Sequence, residues 1–169
     1  RTAQLLEPVY AEQLRSILSS AVLTMDETPI KAGRKMRAPP QRGEMRTGYF
    51  WPIYGDKDEI AFPFARTRGS GVVREALKEY GGVLVTDGYK IYERFAERVN
   101  GIVHAQCWSH ARRYFEKGEG AEPKRCGEAL DLISKLYVCE AAAKALPPEK
   151  VLKYRAEHAK PVVDRFFAW

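Results

Sequence analysis

The chain has 169 residues, 45% of them hydrophobic and 30% charged, with a net charge of +6. That length suits one domain with a full core and a small helical addition, and the balance of apolar and charged residues excludes both a disordered chain and a membrane-spanning one. No apolar run approaches the roughly 20 residues of a membrane helix, the opening residues lack the pattern of a secretory signal, and three cysteines (Cys107, Cys126, Cys139) without framework spacing point to a reducing, cytoplasmic compartment.

In LLEPVYAEQLRSILSS, the residues Val9, Leu14, Ile17 and Leu18 after Pro8 fall near helical spacing. They predict a short amphipathic helix covering a sheet, so residues 1–20 read as a leading helix. Residues 21 to 26, AVLTMD, predict a buried strand ending in Asp26. Lys31, Arg34, Lys35, Arg37, Arg42 and Arg46 follow against a single acid, Glu44, with Pro39, Pro40 and Gly43 among them. This predicts a basic loop, which either neutralises nucleic-acid phosphates or is simply solvated. GYFWPIYG and EIAFPFART, joined by the polar turn Asp56-Lys57-Asp58, predict an antiparallel hairpin with Pro52 and Pro63 at edges or bulges. Their aromatics Tyr49, Phe50, Trp51, Tyr54, Phe62 and Phe64 read as core and edge packing rather than as base-stacking groups.

SGVVREALKEYGG predicts a helix with Ser70 as its cap and Gly81-Gly82 as its stop, and VLVTD a further strand ending in Asp87. YKIYERFAERVN places Ile91, Phe95 and Val99 on one helical face, GIVHAQCW is a fifth strand, and a helix from Ser109 leads into an all-helical remainder. The order β-β-β-α-β-α-β-α predicts an α/β fold: a ribonuclease H-like mixed five-stranded sheet with flanking helices over residues 21–120. The remainder, 121–169, reads as a helical extension.

Such a sheet can bring the ends of its first and fourth strands side by side, and with them Asp26 and Asp87. Two adjacent carboxylates repel unless a cation neutralises them, and Mg²⁺ or Mn²⁺ takes oxygen ligands. Two such ions roughly 4 Å apart would serve phosphodiester chemistry; the plain alternative is that each aspartate only closes a turn. Strand alternation argues against Glu27 sharing a metal with Asp26, because adjacent residues face opposite ways. Glu116, on the helix after the fifth strand, is the candidate third acid within the chain. His104, Cys107 and His110 fall short of a four-ligand zinc set, so Cys107 reads as a buried small hydrophobe and His110 as a residue near the active centre. Arg112 and Arg113 either bind phosphate or are solvated helix charges. No arginine-histidine-arginine set accompanies Tyr89 and Tyr92, which excludes a covalent tyrosine recombinase.

MDETPIK, TGYFW, VTDGYKIY, CWSHARRYF, ISKLYVCE and the final RAEHAKPVVDRFFAW, in that order, resemble the catalytic region of bacterial transposases of the insertion sequence sixty-six family. The resemblance implies a DDE-type transposase that cuts donor DNA and joins its 3′ end to target DNA, with Asp26 and Asp87 as the first two metal-binding acids. It implies a two-metal Mg²⁺ (or Mn²⁺) site in the full enzyme, DNA as partner, action as a homodimer on paired ends, and a location on the nucleoid. The basic residues of the loop, with His110, Arg112 and Arg113, would then contact DNA. The family's final glutamate lies beyond a helical insertion, in a DNN-x-x-ER motif that this sequence lacks, so the resemblance implies that 121–169 is that insertion, cut short at its C-terminus, and that the chain is a fragment inactive by itself. The alternatives are a self-contained ribonuclease H-like nuclease using Glu116, and a non-catalytic DNA-binding remnant of a transposase.

Overall fold

The computed structural model describes residues 2–34, 45–77 and 79–169. They form two compact units, Arg1–Cys107 and Trp108–Trp169. The first opens with α1 (Thr2–Leu18), β1 (Val22–Met25), β2 (Thr28–Arg34) and β3 (Met45–Phe50). The short strands β4 (Ile53–Tyr54), β5 (Ile60–Ala61) and β6 (Phe64–Ala65) come next. It closes with α2 (Ser70–Ala76), β7 (Val83–Thr86), α3 (Lys90–Ala96) and β8 (Val103–Gln106).

The main sheet has five strands in the order β5-β4-β1-β7-β8. β1 is parallel to β7 and β7 to β8, whereas β4 is antiparallel to both β1 and β5. Alternation drives this arrangement. Leu23 and Met25 point inward and are buried, with Val22 and Thr24 outward, and Leu23 lies opposite the buried Leu84 of β7. Around them pack Ile17 of α1, Trp51, Ile53, Val73 and Leu77, and the Ile91-Tyr92-Phe95 face of α3. Each such buried side chain contributes about 1.5–3 kcal/mol of transfer free energy.

Where β7 begins, Gly82 lets two backbones meet. A Cβ there would sit 2.5 Å from the Tyr80 hydroxyl and 2.8 Å from the Ala21 carbonyl oxygen. Tyr80 Oη uses that space to donate to the carbonyls of Val83 (2.8 Å) and Ala21 (3.2 Å), clasping the starts of β1 and β7 together.

Several sequence expectations shift at this level. α1 starts well before Pro8 and contains it; the proline removes one backbone donor from an exposed helix, where water can take the freed carbonyl. The stretch read as a basic loop is flanked by strands: Lys31 and Arg34 belong to β2 and Arg46 to β3, which pair antiparallel, while Lys35, Arg37 and Arg42 lie outside the described residues. The hairpin is shared between two sheets. Tyr49 and Phe50 pair with Ala65 and Phe64 in the sheet β2-β3-β6, but Ile53 and Tyr54 pair with Ala61 and Ile60 in the main sheet. Pro52 and Pro63 mark the crossing, because neither can donate to a ladder; their carbonyls instead accept from Asp26 N (3.3 Å) and Trp51 N (2.8 Å). Of the aromatics read as packing groups, Trp51 is fully buried, but Tyr54, Phe62 and Phe64 are exposed. Gly69, not Ser70, precedes α2, and that helix ends before Gly81.

The second unit is helical: α4 (Trp108–Gly118), α5 (Pro123–Lys144), α6 (Pro148–Tyr154) and α7 (Lys160–Ala168), with a π-helical turn at Arg155–Ala159. Cys126, Ala129, Ile133 and Leu136 recur at three- and four-residue spacing and, with Ala143 two turns on, form the buried stripe of α5. Residues 108–120, read from sequence as the end of the core, here pack within this helical unit. The π-turn falls just before Pro161, where the ring removes an intrahelical donor and a widened turn accommodates it. No helix among the described residues is long and apolar enough to cross a membrane.

Candidate metal centre

β1 and β7 are neighbours, and both run out at the same end of the sheet. The residues that follow are Asp26-Glu27 after β1 and Asp87 after β7. Carboxylate oxygens of Asp26, Glu27 and Asp87 all lie within 4.8 Å of one another, the one such group of acids, cysteines and histidines among the described residues. The sequence pairing of Asp26 with Asp87 is realised.

The three acids are not equivalent. Asp26 and Asp87 are partly exposed, and each is oriented through Oδ1 by a nearby backbone N–H: that of Glu27 at 2.8 Å and that of Tyr89 at 2.9 Å. The second contact is an Asx turn, which aims Asp87 as the chain enters α3. Glu27 continues the inward parity of Leu23 and Met25, and its side chain is only 1% exposed. There its Oε1 accepts from Arg68 Nε (2.7 Å) and Arg68 Nη2, and its Oε2 accepts from the Tyr92 hydroxyl (2.6 Å). A buried carboxylate demands such partners, and a guanidinium fork plus a phenol supplies them.

Strand alternation argued against Glu27 sharing a metal with Asp26, yet the carboxylates of the two lie in one cluster: β1 stops at Met25, and the longer Glu27 side chain reaches the same place from its buried position.

Electrostatics follow from these contacts. Burial, and then the Glu27 carboxylate beside it, push the Tyr92 hydroxyl far above the ordinary tyrosine range. Hydrogen bonding to Glu27 raises the Arg68 guanidinium further, holding it charged. Arg68 also lies over the Tyr89 ring, 4.1 Å from its centroid, so one arginine ties the segment before α2 to both Glu27 and the start of α3.

Behind Asp87, the buried Thr86 donates from Oγ1 to the Asp87 carbonyl (2.9 Å) and meets His104 Nε2 of β8 at 2.8 Å. Sequence reasoning weighed His104 only as a zinc ligand. Arg68 and Thr86 it did not single out for any role, and Tyr92 it weighed only as a recombinase nucleophile and set aside. The available signal was a phenol, Tyr92, inside the apolar Ile91-Phe95 face of a helix, where a hydroxyl needs a partner.

The other predicted site residues lie elsewhere. Glu116 is on α4 of the helical unit, where its Oε1 accepts from Arg112 Nε at 2.8 Å in an exposed i,i+4 pair. Arg112 also donates to Ser134 at 3.3 Å; Arg113 is exposed, and His110 sits on the same helix. Lys31 Nζ donates to Thr47 Oγ1 at 2.9 Å across the β2–β3 ribbon, which carries Arg46 on its exposed surface. The three cysteines are free and form no cluster with histidine among the described residues.

No curated protein and no solved structure matches the chain. A family model described as Transposase IS66 family matches residues 1–169.

Proposed function

The chain belongs to the IS66 family of transposases, and from that membership we propose that Asp26 and Asp87 form a divalent-metal site for DNA strand cleavage and strand transfer. The observation that carries the proposal is the convergence of the two aspartates, from adjacent parallel strands, within 4.8 Å of one another and of Glu27. The strand order β5-β4-β1-β7-β8, with its antiparallel early strands and parallel later ones, supports a ribonuclease H-like core.

The donor set suits Mg²⁺ or Mn²⁺, since it offers hard carboxylate oxygens and no sulfur or imidazole. A bound divalent ion supplies Lewis acidity toward a scissile phosphodiester. The protein's part is orientation. Asp26 and Asp87 are aimed by backbone N–H groups, as described, and Glu27 is held by Arg68 and Tyr92. The Arg68–Glu27 pair is neutral as a unit, so the two aspartates supply the −2 that a divalent ion balances. Glu27 thereby serves as a buttress. The third acid of a DDE set is not supplied by these 169 residues on this reading, which makes them inactive in strand cleavage by themselves. DNA would be their partner, and the full enzyme would act as a dimer on paired ends.

Mn²⁺ titration by calorimetry tests this, on the chain and on Asp26→Asn and Asp87→Asn variants shown by circular dichroism to be folded. We expect weak binding in the parent and at least about a tenfold loss in either variant, since each removes one of two anionic ligands. Equal binding by all three proteins, or binding by none, would refute the site.

A further inference from the structure

A groove of about 980 Å³ is lined by residues of α2 and α3 and of the segments that lead into them. Gly88 and Tyr89, which directly follow Asp87, line its head, and Arg68, Arg74, Lys90, Arg94 and Arg98 line its length. No aspartate or glutamate lines it. Lys90 and Arg94 lie four residues apart on α3, about 6 Å along its axis, and Arg98 keeps the same spacing just past the helix end. Glu93 and Glu97 precede Arg94 and Arg98 by one position and do not line the groove. Charge is thus sorted along this segment.

Arg68 is paired with Glu27, whereas the exposed cations Arg74, Lys90, Arg94 and Arg98 make no ion pair or side-chain hydrogen bond among the described residues. Four uncommitted cations along one groove repel one another unless an anion lies between them. A single phosphate cannot neutralise four charges spread along a groove. A polymer of phosphates can.

We propose that this groove is the track for a DNA sugar-phosphate backbone, seating the strand so that it leaves or enters the acidic centre past Tyr89. The proposal rests on the reading of the chain as a DNA-acting transposase, and deepens it: the groove between α2 and α3, rather than the β2–β3 ribbon alone, carries the phosphate contacts nearest the acids. Contacts of this kind set affinity and register without reading sequence.

Duplex DNA binding, measured by fluorescence anisotropy across a salt series, tests it with the whole chain and two charge-matched double variants. One is Arg94→Ala with Arg98→Ala. The other is Lys124→Ala with Lys150→Ala, exposed lysines of the helical unit. Each lost phosphate contact reduces the slope of log K against log salt by about 0.9. We expect the groove variant to bind about tenfold or more weakly at low salt, with a slope shallower by about 1.8, equally for unrelated sequences, and the control to match the parent. Equal losses in the two variants, or none in either, would overturn the groove while leaving the DNA reading in place. No DNA binding by the parent at low salt would overturn both.

Discussion

Glu27 is the residue whose surroundings decide how the acidic centre is held. Its carboxylate is buried against Arg68, which is 45% exposed, and Tyr92, which is fully buried. Arg68→Ala would leave a buried carboxylate with a phenol as its remaining described partner. Because water can enter where a half-exposed guanidinium stood, we expect a loss of about 2–3 kcal/mol, at the lower end for a broken buried pair, measured by urea unfolding. Tyr92→Phe should cost about 1.5–3 kcal/mol, the range for a hydrogen bond to a charged group. It should also change the alkaline limb of stability. The folded-state pKa of Tyr92 is raised, so above the ordinary tyrosine pKa near 10 the unfolded chain loses a proton that the folded chain keeps, and stability falls as pH rises. Melting curves between pH 9 and 11 should fall less steeply for Tyr92→Phe than for the parent; parallel curves would contradict the assignment. Asp26 and Asp87 could be found in the sequence because each closes an apolar run. Glu27 could not, since its placement depends on β1 ending one residue before Asp26.

At the scale of elements, the two proline-containing runs illustrate what local pattern conveys. Aromatic and β-branched residues around a polar turn signalled two paired extended segments, and the pairing exists. Which sheet each half joins was not encoded locally, because Pro52 and Pro63 end one ladder and the next begins only through tertiary pairing. Trp51 sits at this crossing, fully buried, with an indole N–H that has no hydrogen-bond partner among the described residues. Trp51→Ala should cost about 3–5 kcal/mol by cavity formation. Trp51→Phe should cost clearly less, because it keeps a ring in place and removes an unsatisfied buried donor. Gly82→Ala, driving a methyl against the Tyr80 hydroxyl and the Ala21 carbonyl, should cost about 1–3 kcal/mol; retention of parent stability in denaturant would show that the clasp yields.

For the whole molecule, the succession of strands and helices was readable because short connections leave few ways to order five strands. The boundary between units was not. The sequence pattern of α4 continues smoothly from the core, and only its packing with α5 assigns it to residues 108–169. Each unit has a buried core of its own, so a core truncation should report on its own unit. Amide hydrogen exchange on Leu84→Ala and Ile133→Ala, each costing about 2–5 kcal/mol, should show lost protection concentrated in β1 and β7 for the former and in α5 for the latter. Uniform loss in both would mean a single cooperative body. The net charge of +6 gives no such address, and it is the sorting of acids from bases along the α3 segment that does.

The contact between Thr86 and His104 carries a consequence for how the acidic end of the sheet is braced. Thr86 immediately precedes Asp87, and its Oγ1 touches both the Asp87 carbonyl, at 2.9 Å, and His104 Nε2 of β8, at 2.8 Å. The outermost strand thus reaches the backbone that carries Asp87 through side chains as well as through its ladder with β7. Asp87 is steadied from the rim of the sheet, although its cluster draws its acids from the ends of β1 and β7.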